Sequence, residues 1–174
     1  MPRSFDMAAE YESAVEDVHR AFSDEKYWLV RLDDSGCDHA TLDELAVGTD
    51  GGIRIKTTQT LRARRLPGVV TQFHRGDLSF VREETWTPMV DGSATAAVVG
   101  TIPGAPVGLT GHAALAPAAA QLGSQIAFSA TVEVRIPLVG GKIEGFIGSQ
   151  LIHLLAAEQR FTTVWITETG RSGH

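Results

Sequence analysis

Apolar and polar residues alternate with a period of two in several stretches of this chain, a pattern that is typical of strands with one buried face. The most complete alternation covers residues 125–136, where Phe128 and Val132 belong to the apolar series and most intervening positions are polar. Because neighbouring side chains of a strand point to opposite faces, the pattern predicts which of them face the interior. Similar patterns predict strands at residues 3–11, 39–47, 53–66, 78–89, 92–102 and 107–115.

Two short helices are predicted between the first two strands. Ser13 and Glu16 have the spacing of a capping box, and the apolar residues that follow recur at helical intervals. Ser23 is expected to cap the second helix, which contains the sequence EKYWLVRL.

A much longer helix with one apolar side is predicted over residues 139–168. Its apolar arc includes Ile147, Leu151 and Leu154. Gly145 and Gly148 interrupt this helix, and each costs about 1 kcal/mol relative to alanine. We expect either that the helix lies close to a strand or a ligand at these glycines, or that they only make it flexible.

The order of elements is therefore strand, two helices, six strands and a long amphipathic helix. With the sequence AVEDVHRAFSDEKYW after the first strand and VEVRIPLVGGKIEGFIGSQL leading into the last helix, the chain resembles the START-like superfamily, also called SRPBCC or the Bet v 1-like helix-grip fold. More narrowly, it is similar to an uncharacterised actinobacterial branch of that superfamily.

The resemblance implies an α+β fold in which a seven-stranded antiparallel sheet wraps around the long C-terminal helix and leaves a cavity between them. Two short helices follow the first strand in this fold. The length of 174 residues suits a single domain, so residues 1–174 are expected to form one ligand-binding unit.

The strand at residues 78–89 places aromatic and charged side chains on the same face. Phe80 and Trp86 alternate with Arg82 and Glu84 at a period of two. If the aromatic rings face the cavity, the two charged side chains also face it, where unpaired charges are costly. They are interpreted as a polar anchor for a carboxylate or hydroxyl group of an apolar ligand, as a structural ion pair, or as residues that a twist of the strand brings to the rim.

Polar residues also occur on the other predicted walls of the cavity. Gln150 and Glu158 lie within the apolar arc of the long helix, and Gln59 lies among the apolar positions of its strand. Glu158 is expected either to face a ligand or to pair with Arg82 or a basic residue of another strand. A few converging polar groups in an apolar concavity are typical of small-molecule sites. The predicted ligand-binding residues are Ile55, Gln59, Phe80, Arg82, Glu84, Trp86, Phe128, Val132, Ile147, Gln150, Leu151, Leu154 and Glu158.

Charge and spacing argue against several other functions. The formal net charge of -6 is unfavourable for nucleic-acid binding, which needs a concentrated basic surface. The histidines and the single cysteine do not have the spacing of a metal site or a nucleophilic motif, so neither a metal nor a cofactor is expected. His74, on the loop after the third strand, is the best candidate for acid/base chemistry, although a solvated loop histidine is the simpler interpretation.

The sequence predicts a cytoplasmic protein without stable membrane insertion. Residues 92–132 contain no Asp, Glu, Lys or Arg, but their prolines and glycines favour buried strands joined by turns over a membrane span. Asp6 and Glu10 stand where a signal peptide would have an apolar run. The lone Cys37 is compatible with a reducing compartment.

Three functions remain open from the sequence. The favoured one is binding or transport of a hydrophobic small molecule, such as a lipid or a polyketide-like compound, in an internal cavity. The second is an enzyme of the cyclase or dehydratase kind that uses the same cavity. The third is a protein-interaction or co-chaperone-like module whose interior is filled by its own side chains. Superfamily members span all three classes, so the fold alone does not decide between them, nor does it specify an oligomeric state.

Overall fold

The computed structural model describes residues 2–71, 74–118 and 123–172. Strand β1 (Arg3–Tyr11) is followed by helices α1 (Val15–Phe22) and α2 (Glu25–Asp33), by six further strands, and by a long final helix. The later elements are β2 (His39–Val47), β3 (Ile53–Leu61), a short helix α3 (Gly68–Thr71), β4 (Leu78–Trp86), β5 (Ala94–Thr101), β6 (Val107–Pro117), β7 (Ser124–Val134) and α4 (Gly140–Ser172).

The seven strands form one antiparallel sheet in the order β1-β7-β6-β5-β4-β3-β2. Along β5 every second residue is buried, and along β7 the even positions from Ser124 to Val134 face the interior. Helix α4 packs against this inner face. The predicted α+β helix-grip fold is therefore confirmed.

The core consists of two clusters of buried side chains that lie at opposite halves of α4. One is rich in aromatic rings and joins α1 and α2 to the C-terminal half of α4 through Phe22, Tyr27 and Trp28. The other joins β1, β6 and β7 to the N-terminal half of α4, where Ile143 is buried. Between these two clusters, the middle turns of α4 lie opposite β4, where Glu158 of the helix contacts Arg82 of the strand.

The last strand passes directly into the last helix because two contacts fix the junction. Glu144 is 1% exposed, and its carboxylate accepts a hydrogen bond of 2.9 Å from the backbone N–H of Val134. A Cβ atom on Gly140 would lie 2.7 Å from the carbonyl oxygen of Val134. Only glycine allows the first turn of α4 to lie this close to the end of β7.

The two glycines inside α4 mark the approach of this helix to β1. A Cβ on Gly148 would lie 2.1 Å from the ring of Phe5, and a Cβ on Gly145 would lie 2.7 Å from the guanidinium of Arg3. At Gly148 the helix therefore needs glycine to pack against β1, whereas at Gly145 it meets only the end of the Arg3 side chain; of the two explanations that the sequence left open, close approach to a strand holds at Gly148.

Both predicted helix caps are wrong by one residue. Helix α1 begins after Ala14, which makes no side-chain cap, while the carbonyl of Ser13 accepts a hydrogen bond of 2.8 Å from the Ser124 hydroxyl. Ser23 ends α1 by donating to the carbonyl of Arg20, and the adjacent Asp24 caps α2 by accepting from the N–H of Lys26 at 2.9 Å.

Strand β3 ends at Leu61, five residues before the predicted end at Leu66. The carboxylate of Asp38 accepts a hydrogen bond of 2.8 Å from the N–H of Arg62, and that of Asp77 accepts one of 3.0 Å from the N–H of Ala63. These side chains take the donors that would continue the sheet, so the chain turns into a short 3-10 segment at Ala63–Arg65.

Candidate functional site

Two neighbouring cavities lie between α4 and the sheet. The outer one has a volume of about 660 Å³ and the inner one a volume of about 60 Å³. Phe80 of β4 and Leu151 and Leu154 of α4 line both cavities. These three side chains therefore stand between an outer chamber and a small inner one.

The outer cavity is mostly apolar. The N-terminal half of α4 forms one wall, the end of β3 and the starts of β4 and β6 form another, and the loops after β3 and β5 form the rim. Its apolar lining includes Leu61, Leu66, Pro67, Val70, Leu78, Ile102, Ile136, Ile143, Phe146 and Ile147. The polar contributions of Gln59 and Gln150 come from opposite walls.

The inner cavity lies against a cluster of four charged side chains, Arg31, Arg82, Glu84 and Glu158. Arg82 Nη2 lies 2.8 Å from Glu158 Oε2, and Arg82 Nε lies 3.2 Å from Glu84 Oε1. Arg31 of α2 forms a second salt bridge to Glu158. All four side chains are at most 15% exposed, so this ionic cluster is shielded from water.

Neutral side chains complete the hydrogen bonding of the ionic cluster. The indole N–H of Trp86 donates to Glu84 at 3.0 Å, and Arg31 donates to the hydroxyl of Tyr27 at 3.1 Å. The Tyr27 hydroxyl lies 2.6 Å from that of Thr162, which donates to the backbone carbonyl of Glu158. The guanidinium of Arg31 also stacks over Trp28, 4.5 Å from the centre of the ring.

The charges of the cluster hold one another in the ionised state. Burial by itself would raise the pKa of the Glu158 carboxyl, but Arg31 and Arg82 lower it to about 2. Burial would likewise lower the pKa of both arginines, and Glu158 raises each above its usual value. Glu158 is therefore a carboxylate at neutral pH and at mildly acidic pH.

Eleven of the predicted ligand-binding residues line one or both cavities. Arg82, Glu84, Trp86, Phe128 and Glu158 line the inner cavity. Gln59, Ile147 and Gln150 line the outer one, while Phe80, Leu151 and Leu154 line both.

The other two predicted residues, Ile55 and Val132, face inward but are packed in the core and line neither cavity. Arg82 and Glu84 face the interior and not the rim, since their side chains line the inner cavity and are only 11% and 13% exposed. The pairing of Glu158 with Arg82 agrees with one of the two roles expected for that glutamate.

Sequence reasoning missed Arg31 and Tyr11. Arg31 lies four residues after Tyr27 and three after Trp28, so helical spacing places it on their buried face, and this signal was available. The period-two pattern of β1 places Tyr11 on the same face as Phe5 and Met7, but nothing in that strand indicates that Tyr11 reaches the inner cavity.

His74 and Cys37 both lie at the outer cavity. The ring Nε2 of His74 lies 2.9 Å from the carbonyl of Asp77, and the thiol of Cys37 contacts the Ser35 hydroxyl and the carbonyl of His39. Across residues 2–71, 74–118 and 123–172, no three His, Cys, Asp or Glu side chains are grouped in a way that would hold a metal ion. Within the same ranges, no helix combines the length and the apolar character needed to cross a membrane.

Comparison with known proteins identifies a matching family and a protein of similar sequence. Residues 6–166 match the family described as a protein of unknown function, DUF2505. An uncharacterized protein of Mycobacterium tuberculosis is 53% identical over 171 residues, which cover 96% of this chain and 98% of that protein.

Solved structures share the fold at low sequence identity. The STAR-related lipid transfer protein from Xanthomonas axonopodis is 15% identical with a TM-score of 0.57, over 95% of this chain and 86% of that one. Norcoclaurine synthase from Thalictrum flavum, in complex with dopamine and hydroxybenzaldehyde, is 15% identical with a TM-score of 0.51, over 97% of this chain and 88% of that one. These likenesses show the fold.

Proposed function

The chain belongs to the DUF2505 family and has the START-like fold, and we propose that residues 1–174 act as a single cytoplasmic domain that binds or carries a hydrophobic small molecule. The observation that carries this proposal is the outer cavity of about 660 Å³, whose lining is predominantly apolar. Ligand pockets of small molecules are typically about 300–1,000 Å³ and are lined in the same way.

The apolar lining is sufficient to hold a ligand without covalent chemistry. Each Å² of apolar surface removed from water contributes about 25 cal/mol, so a ligand that buries on the order of 300 Å² gains roughly 7 kcal/mol from this term. Gln59 and Gln150, on facing walls, are the proposed orienting groups of the outer cavity.

The structural neighbours support two classes of function within this fold. The name of the Xanthomonas protein describes lipid transfer, which agrees with the proposed carrier role. The synthase from Thalictrum favours the alternative of an enzyme that uses the same space. In this chain Glu158 is a poor general base, because two arginines lower its pKa to about 2.

The space between α4 and the sheet also argues against a purely protein-interacting module. Such a module was expected to fill its interior with its own side chains. A cavity of about 660 Å³ between Phe80, Ile147 and Gln150 is instead large enough for a small molecule.

The proposal is tested by titrating the protein with an apolar fluorescent probe whose emission rises on burial. Leu151→Glu places a charge in the wall shared by the two cavities and should weaken probe binding at least ten-fold. Ile152→Glu is the matched control, because Ile152 is the adjacent residue of α4 and its side chain is 50% exposed. This control should bind the probe as the wild type does.

Circular dichroism must show that both variants are folded. Saturable binding to the wild type that only Leu151→Glu weakens supports the proposal. Absence of binding to the wild type, or equal binding by both variants, contradicts it.

A further inference from the structure

Among the described residues, Tyr11 is the one side chain lining the inner cavity whose polar group has no hydrogen-bond partner. Tyr11 is 5% exposed and lines the inner cavity. Among residues 2–71, 74–118 and 123–172, its hydroxyl has no hydrogen-bond partner, and every fully enclosed side-chain nitrogen or oxygen has one. The Tyr11 hydroxyl therefore lies at the surface of the cavity, free to donate and to accept.

The other buried tyrosine shows the contrast. The hydroxyl of Tyr27 lies 2.6 Å from that of Thr162 and accepts from Arg31 at 3.1 Å. Tyr27 does not line the inner cavity. One tyrosine thus completes the internal hydrogen bonding of the ionic cluster, while Tyr11 presents an unpaired hydroxyl to the adjacent empty space.

Burial keeps Tyr11 protonated. The low polarity around its ring raises the pKa of the phenol well above the usual value, and the nearby Tyr27 raises it further; the charge of Arg31 acts in the opposite direction and offsets only part of this. The hydroxyl is therefore a neutral hydrogen-bond donor and acceptor throughout the physiological range.

The charge balance of the ionic cluster decides what kind of group fits beside Tyr11. Arg31 and Arg82 are matched in number by Glu84 and Glu158, and these four side chains are bonded to one another. A ligand carboxylate or ammonium would add an uncompensated charge to this shielded volume, which is strongly unfavourable. An uncharged oxygen can hydrogen-bond there without disturbing the balance.

The size of the inner cavity limits the group further. A volume of about 60 Å³ accommodates a hydroxyl or carbonyl oxygen with its attached carbon. Phe80, Leu151 and Leu154 line this cavity and the outer one alike, so an attached apolar chain would pass between them into the larger space.

We propose that the inner cavity binds the single uncharged oxygen of an apolar alcohol or ketone, that Tyr11 is its hydrogen-bond partner, and that the hydrocarbon part of the ligand occupies the outer cavity. This inference rests on the proposed function and specifies the ligand class for the same site. The sequence left open whether the polar end of the ligand is a carboxylate or a hydroxyl group. This inference favours the hydroxyl group, because it adds no charge beside Arg82 and Glu84.

The experiment measures how decanol, decanoate and decane displace the apolar fluorescent probe at neutral pH. These compounds have the same chain length and differ only at one end. The wild type should bind decanol at least ten-fold more tightly than decanoate. Tyr11→Phe should lower the affinity for decanol about ten-fold, which is the change expected for the loss of one hydrogen bond. The affinity for decane should stay the same. Ile152→Glu, at a side chain of α4 that is 50% exposed and lines neither cavity, is the control, and it should leave the ratio of decanol to decane affinity at the wild-type value.

The outcomes separate this inference from the proposed function. Decanoate binding as tightly as decanol, or a Tyr11→Phe variant that loses decanol and decane affinity equally, overturns the inference while the carrier function stands. If the probe does not bind or none of the three compounds displaces it, the proposed function fails and the inference fails with it. If Tyr11→Phe does not fold, the relative affinities of the wild type for decanol and decanoate still test whether the site prefers an uncharged oxygen.

Discussion

Replacing Glu158 by glutamine tests the idea that the ionic cluster is a buried structural element. Both Arg31 and Arg82 form salt bridges to this one carboxylate, and its side chain is 15% exposed. A glutamine has one acceptor oxygen and an amide nitrogen that only donates, so it cannot accept from both guanidinium groups through two oxygens. The substitution leaves two buried cations facing a single remaining carboxylate, that of Glu84.

The expected cost follows from the burial of the cluster. Removing one partner of a buried ion pair typically destabilises a protein by about 3–5 kcal/mol, because the other charge remains without compensation. Glu83→Gln is the matched control on β4. Glu83 is 53% exposed and lies 3.8 Å from Lys56, so its loss should change the free energy of unfolding by less than about 1 kcal/mol.

Urea unfolding followed by tryptophan fluorescence provides the measurement. With an m-value of about 2 kcal/mol per M, Glu158→Gln should lower the unfolding midpoint by roughly 2 M relative to the wild type, and Glu83→Gln by less than about 0.5 M. A Glu158→Gln variant that unfolds at the midpoint of the Glu83→Gln control would refute the reasoning, because it would mean that the cluster is solvated.

Two further predictions follow from the same structure. Because the pKa of Glu158 falls from 4.5 to about 2 on folding, its stabilisation of roughly 3 kcal/mol is present above pH 4.5 and is lost as the pH falls towards 2. Urea midpoints over that range should fall for the wild type more steeply than for Glu158→Gln, and parallel pH profiles would contradict the assignment. Gly148→Ala should destabilise the fold by about 1–2 kcal/mol, because the new methyl group clashes with the Phe5 ring. Gly145→Ala should stabilise the fold by up to about 1 kcal/mol, because its methyl group meets only the flexible end of the Arg3 side chain and alanine favours the helix. Thermal unfolding of both variants decides this, and equal shifts would contradict the packing argument.

Much of the fold was predictable because strand periodicity reports burial directly. The alternation of β4 placed Phe80, Arg82, Glu84 and Trp86 on one face, and all four line the inner cavity. Because Arg82 and Glu84 share a buried face with two aromatic residues, they need partners of opposite charge. The sequence indicates this need, but it does not identify the partners.

The partners themselves come from elements that are distant along the chain. Arg31 meets Glu158 only because α2 and α4 pack on the same end of the sheet, and no local pattern specifies that contact. The open hydroxyl of Tyr11 depends in the same way on where β1 lies relative to the cluster. Sequence periodicity predicts that a side chain is buried, but it does not predict what lies opposite.

The boundaries of elements were less predictable because side chains compete for backbone donors. Ser13 has the spacing of a helix cap, yet Asp24 is the residue that caps a helix through its side chain. Asp38 and Asp77 end β3 by accepting from backbone N–H groups that strand propensity alone would assign to the sheet. Such contacts depend on the tertiary position of single carboxylates.

Native mass spectrometry of the purified protein, before and after incubation with a panel of lipids and apolar aromatic compounds, tests the central claim most directly. If the space between α4 and the sheet takes up a hydrophobic molecule, the wild type should carry one such molecule per chain, and organic solvent should release it. Leu151→Glu should carry much less. A wild-type protein that shows only the mass of the bare chain both before and after incubation would contradict the account.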